Sequence, residues 1–228
     1  MGNTALIIGN SDGIGLAITK ALLAQNWKVF GISKSPSKIS DKNHKAFIAN
    51  VQQEEFERTL DLIFNEVNAV DLCIYCAGIG ELLDINTFKN EELVFQVNLI
   101  GLIKTLTKVI PQMVKVGHGH FIGLSSVADE MVSSEAPSYH ATKAAFSNYL
   151  EGVALALKSK GVYITNLRFG FVDTKMAKGT VKPFMMNTDR AKDHLLKCIS
   201  KKPIRYTAPK IIIPLVKFRS WMLRLKTL

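Results

Sequence analysis

Tyr139 and Lys143 stand four residues apart in SSEAPSYHATKAAF, residues 133–146. Pro137-Ser138 marks a helix start, and positions i and i+4 share one helical face, so phenol and ammonium can meet. A free phenol has a pKa near ~10, too high to trade protons readily at neutral pH, and an adjacent cation favours the phenolate. The chemistry such a pair offers is general acid–base catalysis. A second Tyr-x-x-x-Lys, Tyr206 to Lys210, contains Pro209, which breaks the helix that would put both groups on one side. Ser125 and Ser126 close the run FIGLSS; adjacent strand residues face opposite ways, so only one of them points to a site at that end. Asn98 interrupts FQVNLIGLIK in mid-helix, where asparagine is not favoured and its plainest role is a bond to backbone.

These side chains need a scaffold, and the chain alternates apolar runs with helical patterns. The runs are TALIIG, WKVFGIS, KAFIAN, VDLCIYCAG, HGHFIGLSS and GVYITNLRFG; helix-like stretches cover 14–25, 53–68, 90–116 and 138–159. Continuous apolar strands alternating with helices imply a parallel sheet covered on both faces. The expected fold is a single doubly wound α/β domain, residues 1–208, with ligands outside the carboxyl ends of its strands. Residues 209–228 form an appended basic amphipathic helix. In LIIGNSDGIGLAITKALL, Gly9, Gly13 and Gly15 fall between the first strand and the first helix. That spacing, G-x-x-x-G-x-G, departs from the commoner G-x-G-x-x-G, yet its place suits a phosphate lying on free N–H groups at a helix start.

Composition narrows the field. At 228 residues and 47% apolar, the chain can bury a substantial core and is neither disordered nor fibrous. TALIIG is too short for a signal-peptide core and no stretch approaches ~18 apolar residues, so the expected compartment is the cytoplasm. Three cysteines make poor disulfide scaffolding; Cys73 and Cys76 form a C-x-x-C, but on a buried strand they point to opposite faces and read as core residues rather than a metal or redox site. Nine basic residues follow Asp193 with no acid among them, so residues 1–193 carry only about +1 of the net +10. This is a basic tail on a near-neutral domain, which argues against a nucleic-acid surface.

The glycine turn, CAG at 76–78, Asn98, Ser126, Tyr139-x-x-x-Lys143 and FGFVDT at 169–174 occur in the order and spacing of the short-chain dehydrogenase/reductase family, which the chain resembles over about residues 4–208. The resemblance implies a Rossmann-like sheet and an oxidoreductase interconverting a carbonyl and a secondary alcohol. Tyr139 would be the general acid/base, Lys143 would lower its pKa beside the cofactor ribose, Ser126 would orient the substrate, and Asn98 would hold a water relaying protons through Lys143. The cofactor would lie on Gly9, Ser11, Asp12, Gly13 and Ile14, on Ser33 and Lys34, on Asn50 and Val51, on Ala77 and Gly78, and on Tyr139, Lys143, Gly170, Val172 and Thr174. No metal is expected. An acid at the end of the second strand usually marks NAD preference; Ser33 stands there, followed by Lys34 and Ser35, which suits a 2′-phosphate. Asp12 argues mildly the other way, so NADP(H) is favoured with NAD(H) as the alternative.

Three positions depart from the family pattern. Phe169 replaces a proline and should loosen a turn, Cys76 replaces an asparagine that ties strands together, and Asn50 replaces an aspartate that contacts adenine. Residues 176–196 should close over the substrate, with Thr188 as a helix N-cap and Met185 and Met186 offering apolar contact, which suggests a small to medium lipophilic substrate. In the tail, Leu215, Val216, Phe218, Trp221, Met222 and Leu225 can share one helix face with Lys217, Arg219, Arg224 and Lys226 toward the other. That makes 209–228 a candidate for peripheral membrane contact, or for packing on the domain or a partner subunit. The family also implies a homodimer or homotetramer paired through 90–116 and 138–159. The competing function is a non-catalytic nucleotide-sensing or scaffold protein on the same fold.

Overall fold

In strand β1 (Thr4–Ile8) the side chains alternate between two cores: Leu6 and Ile8 join one buried cluster, Ala5 and Ile7 the other. A strand buried on both faces is what its unbroken apolar sequence requires, and it fixes the architecture. A computed structural model describes residues 3–176 and 184–225, the Arg224 side chain excepted. The strands are β1, β2 (Lys28–Ser33), β3 (His44–Ile48), β4 (Leu72–Tyr75), β5 (Gly119–Ser126), β6 (Val162–Phe169) and β7 (Arg205–Ala208). They form one sheet in the order β3-β2-β1-β4-β5-β6-β7, every neighbouring pair parallel. The order reverses between β1 and β4, opening a crevice at their carboxyl ends.

Helix α1 (Gly13–Ala24) covers one face with α6 (Thr188–Lys201), through Ile18, Leu22, Ala191, Leu195 and Cys198. The other face is covered by α2 (Glu54–Glu66), α4 (Gly101–Val116) and α5 (Pro137–Ala156), through Phe56, Leu60, Leu106, Met113, Phe146 and Leu150. A short α3 (Glu91–Phe95) runs through one π turn, Gln96–Ile100, into α4. The whole run Glu91–Val116 is long and apolar enough to cross a membrane by length and composition alone, but Leu102, Leu106, Val109 and Met113 lie in the core.

Three local expectations need correction. The seventh strand, RYTA, is too short and too polar to register as an apolar run, and it lies at the sheet edge with only Thr207 and Ala208 buried. Asn187, not Thr188, caps α6: its side-chain oxygen accepts from Arg190 N–H at 2.9 Å, and Thr188 is already helical. In α7 (Ile212–Leu225), Val216 leaves the apolar face assigned to it and joins Ile212 and Ser220 on the buried side, against the short turn Val127–Glu130. Met186 is buried and bridges to Val172, while Met185 is exposed; residues 177–183 of the expected substrate loop lie outside the described residues.

Candidate active site

The carboxyl end of β1 turns at Gly9, whose φ of +89° suits glycine and whose N–H donates to Ile32 O at 2.7 Å. A Cβ at Gly15 would lie 2.0 Å from Gly9 O, so helix α1 starts pressed against the turn. Asp12 caps that helix, its carboxylate accepting from Gly13 N–H at 2.8 Å. The Lys175 ammonium beside Asp12 holds its carboxyl below the usual range, with the cap bond adding to the effect. Ser11, Asp12, Gly13 and Ile14 thus frame a narrow backbone turn at a helix N-terminus, a shape that fits a dinucleotide's phosphates. Because the close contact at Gly15 is with backbone, Gly15→Ala should cost roughly 1–3 kcal/mol by overpacking and weaken dinucleotide binding in the same protein. Thermal unfolding paired with a dinucleotide titration checks both.

At the end of β2, Ser33 is buried and its hydroxyl lies 3.0 Å from both Asn10 Oδ1 and Ser35 O, donating to one at a time. Asn10, fully buried in the glycine turn, also places Nδ2 3.1 Å from His44 Nε2. It ties β1's turn to the carboxyl end of β2 and to the first residue of β3, a role not read from the sequence. Lys34 is exposed, and Lys38 lies near enough to act on Asp12. Asn50 is held by Gln52, whose N–H donates to its Oδ1 at 3.2 Å; Val51 behind it is buried.

The four candidate catalytic side chains come from three elements: Asn98 from the π turn, Ser126 from the end of β5, and Tyr139 and Lys143 from α5. Asn98 sits in the π turn, fully buried; its Oδ1 accepts from Ile79 N–H at 2.8 Å, and its Nδ2 donates to Ile79 O at 2.9 Å and to Thr142 Oγ1 at 3.1 Å. The extra residue of a π turn redirects one side chain out of helical phase, and here that side chain clamps the loop after β4. Ala77 and Gly78 begin this loop. A Cβ at Gly78 would meet Met176 Cε at 3.3 Å, Asn98 Oδ1 at 3.4 Å and Lys143 Nζ at 3.9 Å, so those three groups converge on one point. Tyr139 lies beside them, its ring 3.4 Å from the corresponding position at Gly80.

Lys143 is 4% exposed, donates to Leu124 O at 3.0 Å, and lies 5.7 Å from the Tyr139 ring centre. Burial lowers its pKa to about 8, against an opposing pull from the Asp129 carboxylate. Burial also raises the Tyr139 phenol above its ordinary value; the Ser126 hydroxyl bonded to it acts downward and Asp129 upward. The downward influence on the phenol comes from the Ser126 hydroxyl. Ser126 rather than Ser125 faces the site, because Ser125 turns away to Ser147 at 2.8 Å. Tyr206, in the rejected pair, lies on β7 and bonds His194 Nδ1 at 3.0 Å.

The segment after β6 closes over the glycine turn. Phe169 extends β6 by pairing with Ser126 and Ala208 instead of loosening a turn, and Gly170 N–H continues the ladder to Ala208 O at 2.9 Å. Thr174 reaches Gly13, its methyl carbon 3.4 Å from where a Gly13 Cβ would be; Val172 is buried beside it. Cys76 still ties strands, through its N–H to Ile8 O at 2.8 Å, and burial pushes its thiol up to about 12. Cys73 faces the opposite core. A cavity of about 690 Å³ opens outside the turn between α1 and α6, lined by Asp12, Gly13, Thr174 and Lys175 but by none of the four convergent groups.

A further cluster lies directly behind Ser126. Arg168 donates through Nε to Asp129 Oδ2 at 2.6 Å and through a terminal nitrogen to Glu130 Oε1 at 2.6 Å, and Ser147 Oγ donates to Asp129 Oδ2 at 2.6 Å. It locks the Val127–Glu130 turn to β6. The only sequence signal was two adjacent acids just past the strand end.

A model of the family described as short chain dehydrogenase matches residues 3–183. The 3-oxoacyl-(acyl-carrier-protein) reductase FabG of Vibrio cholerae serotype O1 is 32% identical over 186 residues, which cover 78% of this chain and 76% of the relative. An uncharacterized oxidoreductase of Staphylococcus haemolyticus is 29% identical over 187 residues, 78% of this chain and 81% of its own. Among solved structures, a short-chain dehydrogenase from Streptomyces avermitilis superposes with a TM-score of 0.84 at 18% identity, over 99% of this chain and 95% of that one. A short chain dehydrogenase from Burkholderia cenocepacia, solved in complex with NADP, gives 0.84 at 17% identity over 95% and 92%. At such identities the structural matches speak for the fold.

Proposed function

Because the chain belongs to the short-chain dehydrogenase/reductase family of oxidoreductases, we propose that it interconverts a carbonyl and a secondary alcohol on a small to medium lipophilic substrate, with NADP(H) preferred. The observation that carries this reading is the convergence of Lys143 Nζ, Asn98 Oδ1 and the Tyr139 ring on the loop at Gly78–Gly80. NADPH supplies the hydride. Tyr139 gives its phenolic proton to the carbonyl oxygen, and takes one from the alcohol in the other direction. Ser126, bonded to the phenol, orients the same oxygen. The buried Lys143 ammonium favours the phenolate left behind and thereby eases proton release. Asn98 fixes the loop at Ile79 that forms one wall. Ser11 to Ile14 hold the phosphates, Asn50 the adenine, and Val172 and Thr174 the nicotinamide side.

The test is a screen of ketones and aldehydes with NADPH, and of secondary alcohols with NADP, following dinucleotide absorbance. Turnover on none of them, with dinucleotide still bound, would favour the non-catalytic sensing or scaffold role. Three free cysteines suit a reducing compartment, so the proposed location is the cytoplasm. Exposed apolar side chains along the α3–α4 and α5 surfaces, Phe95, Ile100, Tyr149 and Leu155 among them, support a homodimer or homotetramer.

The cofactor choice has its own test. The β2 end carries Ser33, Lys34 and Ser35 and no carboxylate, and Lys34 is free to reach a 2′-phosphate. Lys34→Glu should lower kcat/KM for NADPH by at least about tenfold, roughly the worth of one charge-assisted bond, and should spare NADH. A wild-type preference for NADH above tenfold would overturn the assignment.

A further inference from the structure

Helix α7 buries little of its apolar surface. Ile212, Val216 and Ser220, four residues apart, form one edge that packs on Val127 and Met131, and Ser220 Oγ donates to Glu130 O at 2.5 Å. The remaining large apolar side chains face outward: Leu215, Phe218, Trp221, Met222 and Leu225 are between 40% and 61% exposed. On a helical wheel these five fall within about a third of the circumference, roughly opposite the buried edge. Phe218 and Trp221 lie side by side, ring centres 6.0 Å apart. Lys217 and Arg219 flank the stripe on its two sides and are exposed. Lys210 precedes the helix, Arg224 falls within it, and no acidic residue follows Asp193.

We propose that this face of α7 docks the protein on an anionic membrane surface, with the five apolar side chains in the acyl boundary and the flanking bases at the lipid headgroups. An apolar stripe of aromatic and aliphatic side chains bordered by lysine and arginine is the pattern that lies in a bilayer interface. Charge decides against a second copy of the chain. A two-fold contact of α7 on α7 would set Lys217 and Arg219 against their own counterparts, with no acid on the helix to pair with them. The buried edge anchors the helix to the Val127–Glu130 turn, so a docked helix brings the turn that follows Ser126 close to the membrane.

The test uses the full chain with vesicles of phosphatidylcholine alone and of phosphatidylcholine mixed with phosphatidylglycerol. Wild-type protein should co-sediment with the mixed vesicles, much less with the neutral ones, and progressively less as salt rises. Phe218→Ser/Trp221→Ser should lower the partition coefficient by more than tenfold, and Lys217→Glu/Arg219→Glu by a similar factor, each lost base counting for roughly fivefold. Melting temperature and dinucleotide binding should stay at wild-type values in both variants, because neither pair touches the core or the glycine turn. Sedimentation does not depend on turnover, so Tyr139→Phe protein should bind the vesicles like wild type even if the proposed reaction is wrong. Equal sedimentation with both vesicle types overturns the proposal. So does a wild-type oligomer that Phe218→Ser/Trp221→Ser breaks to monomer without any change in vesicle binding, which would assign the face to a second copy.

Discussion

Tyr139→Phe should reduce turnover by about 10²- to 10⁴-fold, the usual worth of a general acid–base group, while dinucleotide binding persists. The substitution keeps the ring that packs against the Gly80 loop and removes only the hydroxyl bonded to Ser126. Loss of fold therefore does not account for loss of rate, and unfolding midpoints of the two proteins should nearly coincide. The pH profile adds a signature specific to this site. Lys143 has a pKa lowered to about 8, so its ammonium is present below that pH and is lost as pH rises through it. Burial holds the Tyr139 phenol above its ordinary value, so the proton donor survives well past that point. For carbonyl reduction, kcat/KM should accordingly fall as pH rises through about 8, with Lys143 as the group lost. In Lys143→Arg the charge persists at every accessible pH, and that descending limb should move upward. Residual turnover of Tyr139→Phe within tenfold of wild type would remove the phenol from the mechanism.

The architecture was readable because parallel strands buried on both faces spell themselves as apolar runs, and β1, β4, β5 and β6 all do. β7 was not, since an edge strand of four residues needs neither length nor apolarity. In the candidate site, residues set by their own element were legible: the glycine turn, Ser126 at a strand end, and Tyr139 and Lys143 one helical turn apart. Asn10 and Thr142 were missed because their partners, Ser33 with His44 and Asn98, lie 23 to 44 residues away. Local pattern carries no record of such pairings. The upward pull on the Tyr139 phenol has a related cause: it comes chiefly from burial, which is a property of the assembled fold and not of spacing along the chain. Val216 shows the same limit on a helix: its hydrophobicity was plain, but which side met the Val127–Glu130 turn depended on where α7 docked.

The ion cluster behind Ser126 carries the largest expected effect on stability. The Arg168 and Asp129 side chains are 3% and 2% exposed, and the guanidinium grips the carboxylate with two nitrogens while reaching Glu130 and, at 3.1 Å, Thr207. Arg168→Met keeps much of the volume but leaves Asp129 a buried carboxylate with Ser147 as its remaining short bond. Breaking a buried pair from one side costs about 3–5 kcal/mol, because an uncompensated charge stays behind. For a domain of this size that is a fall in Tm of roughly 6–20 °C. Asp129→Asn should cost less, since Arg168 keeps Glu130 and Thr207. Combining the two substitutions should recover part of the Arg168→Met loss, as coupled partners do. The same cluster also reaches the chemistry. Asp129 raises the pKa of both Tyr139 and Lys143, and without Arg168 its charge acts on them unopposed. In Arg168→Met the descending limb of kcat/KM should therefore shift above about 8, a change that loss of packing alone would not produce. A Tm within about 2 °C of wild type, less than one kcal/mol at this size, would show that the turn after Ser126 holds its place without the ion pair.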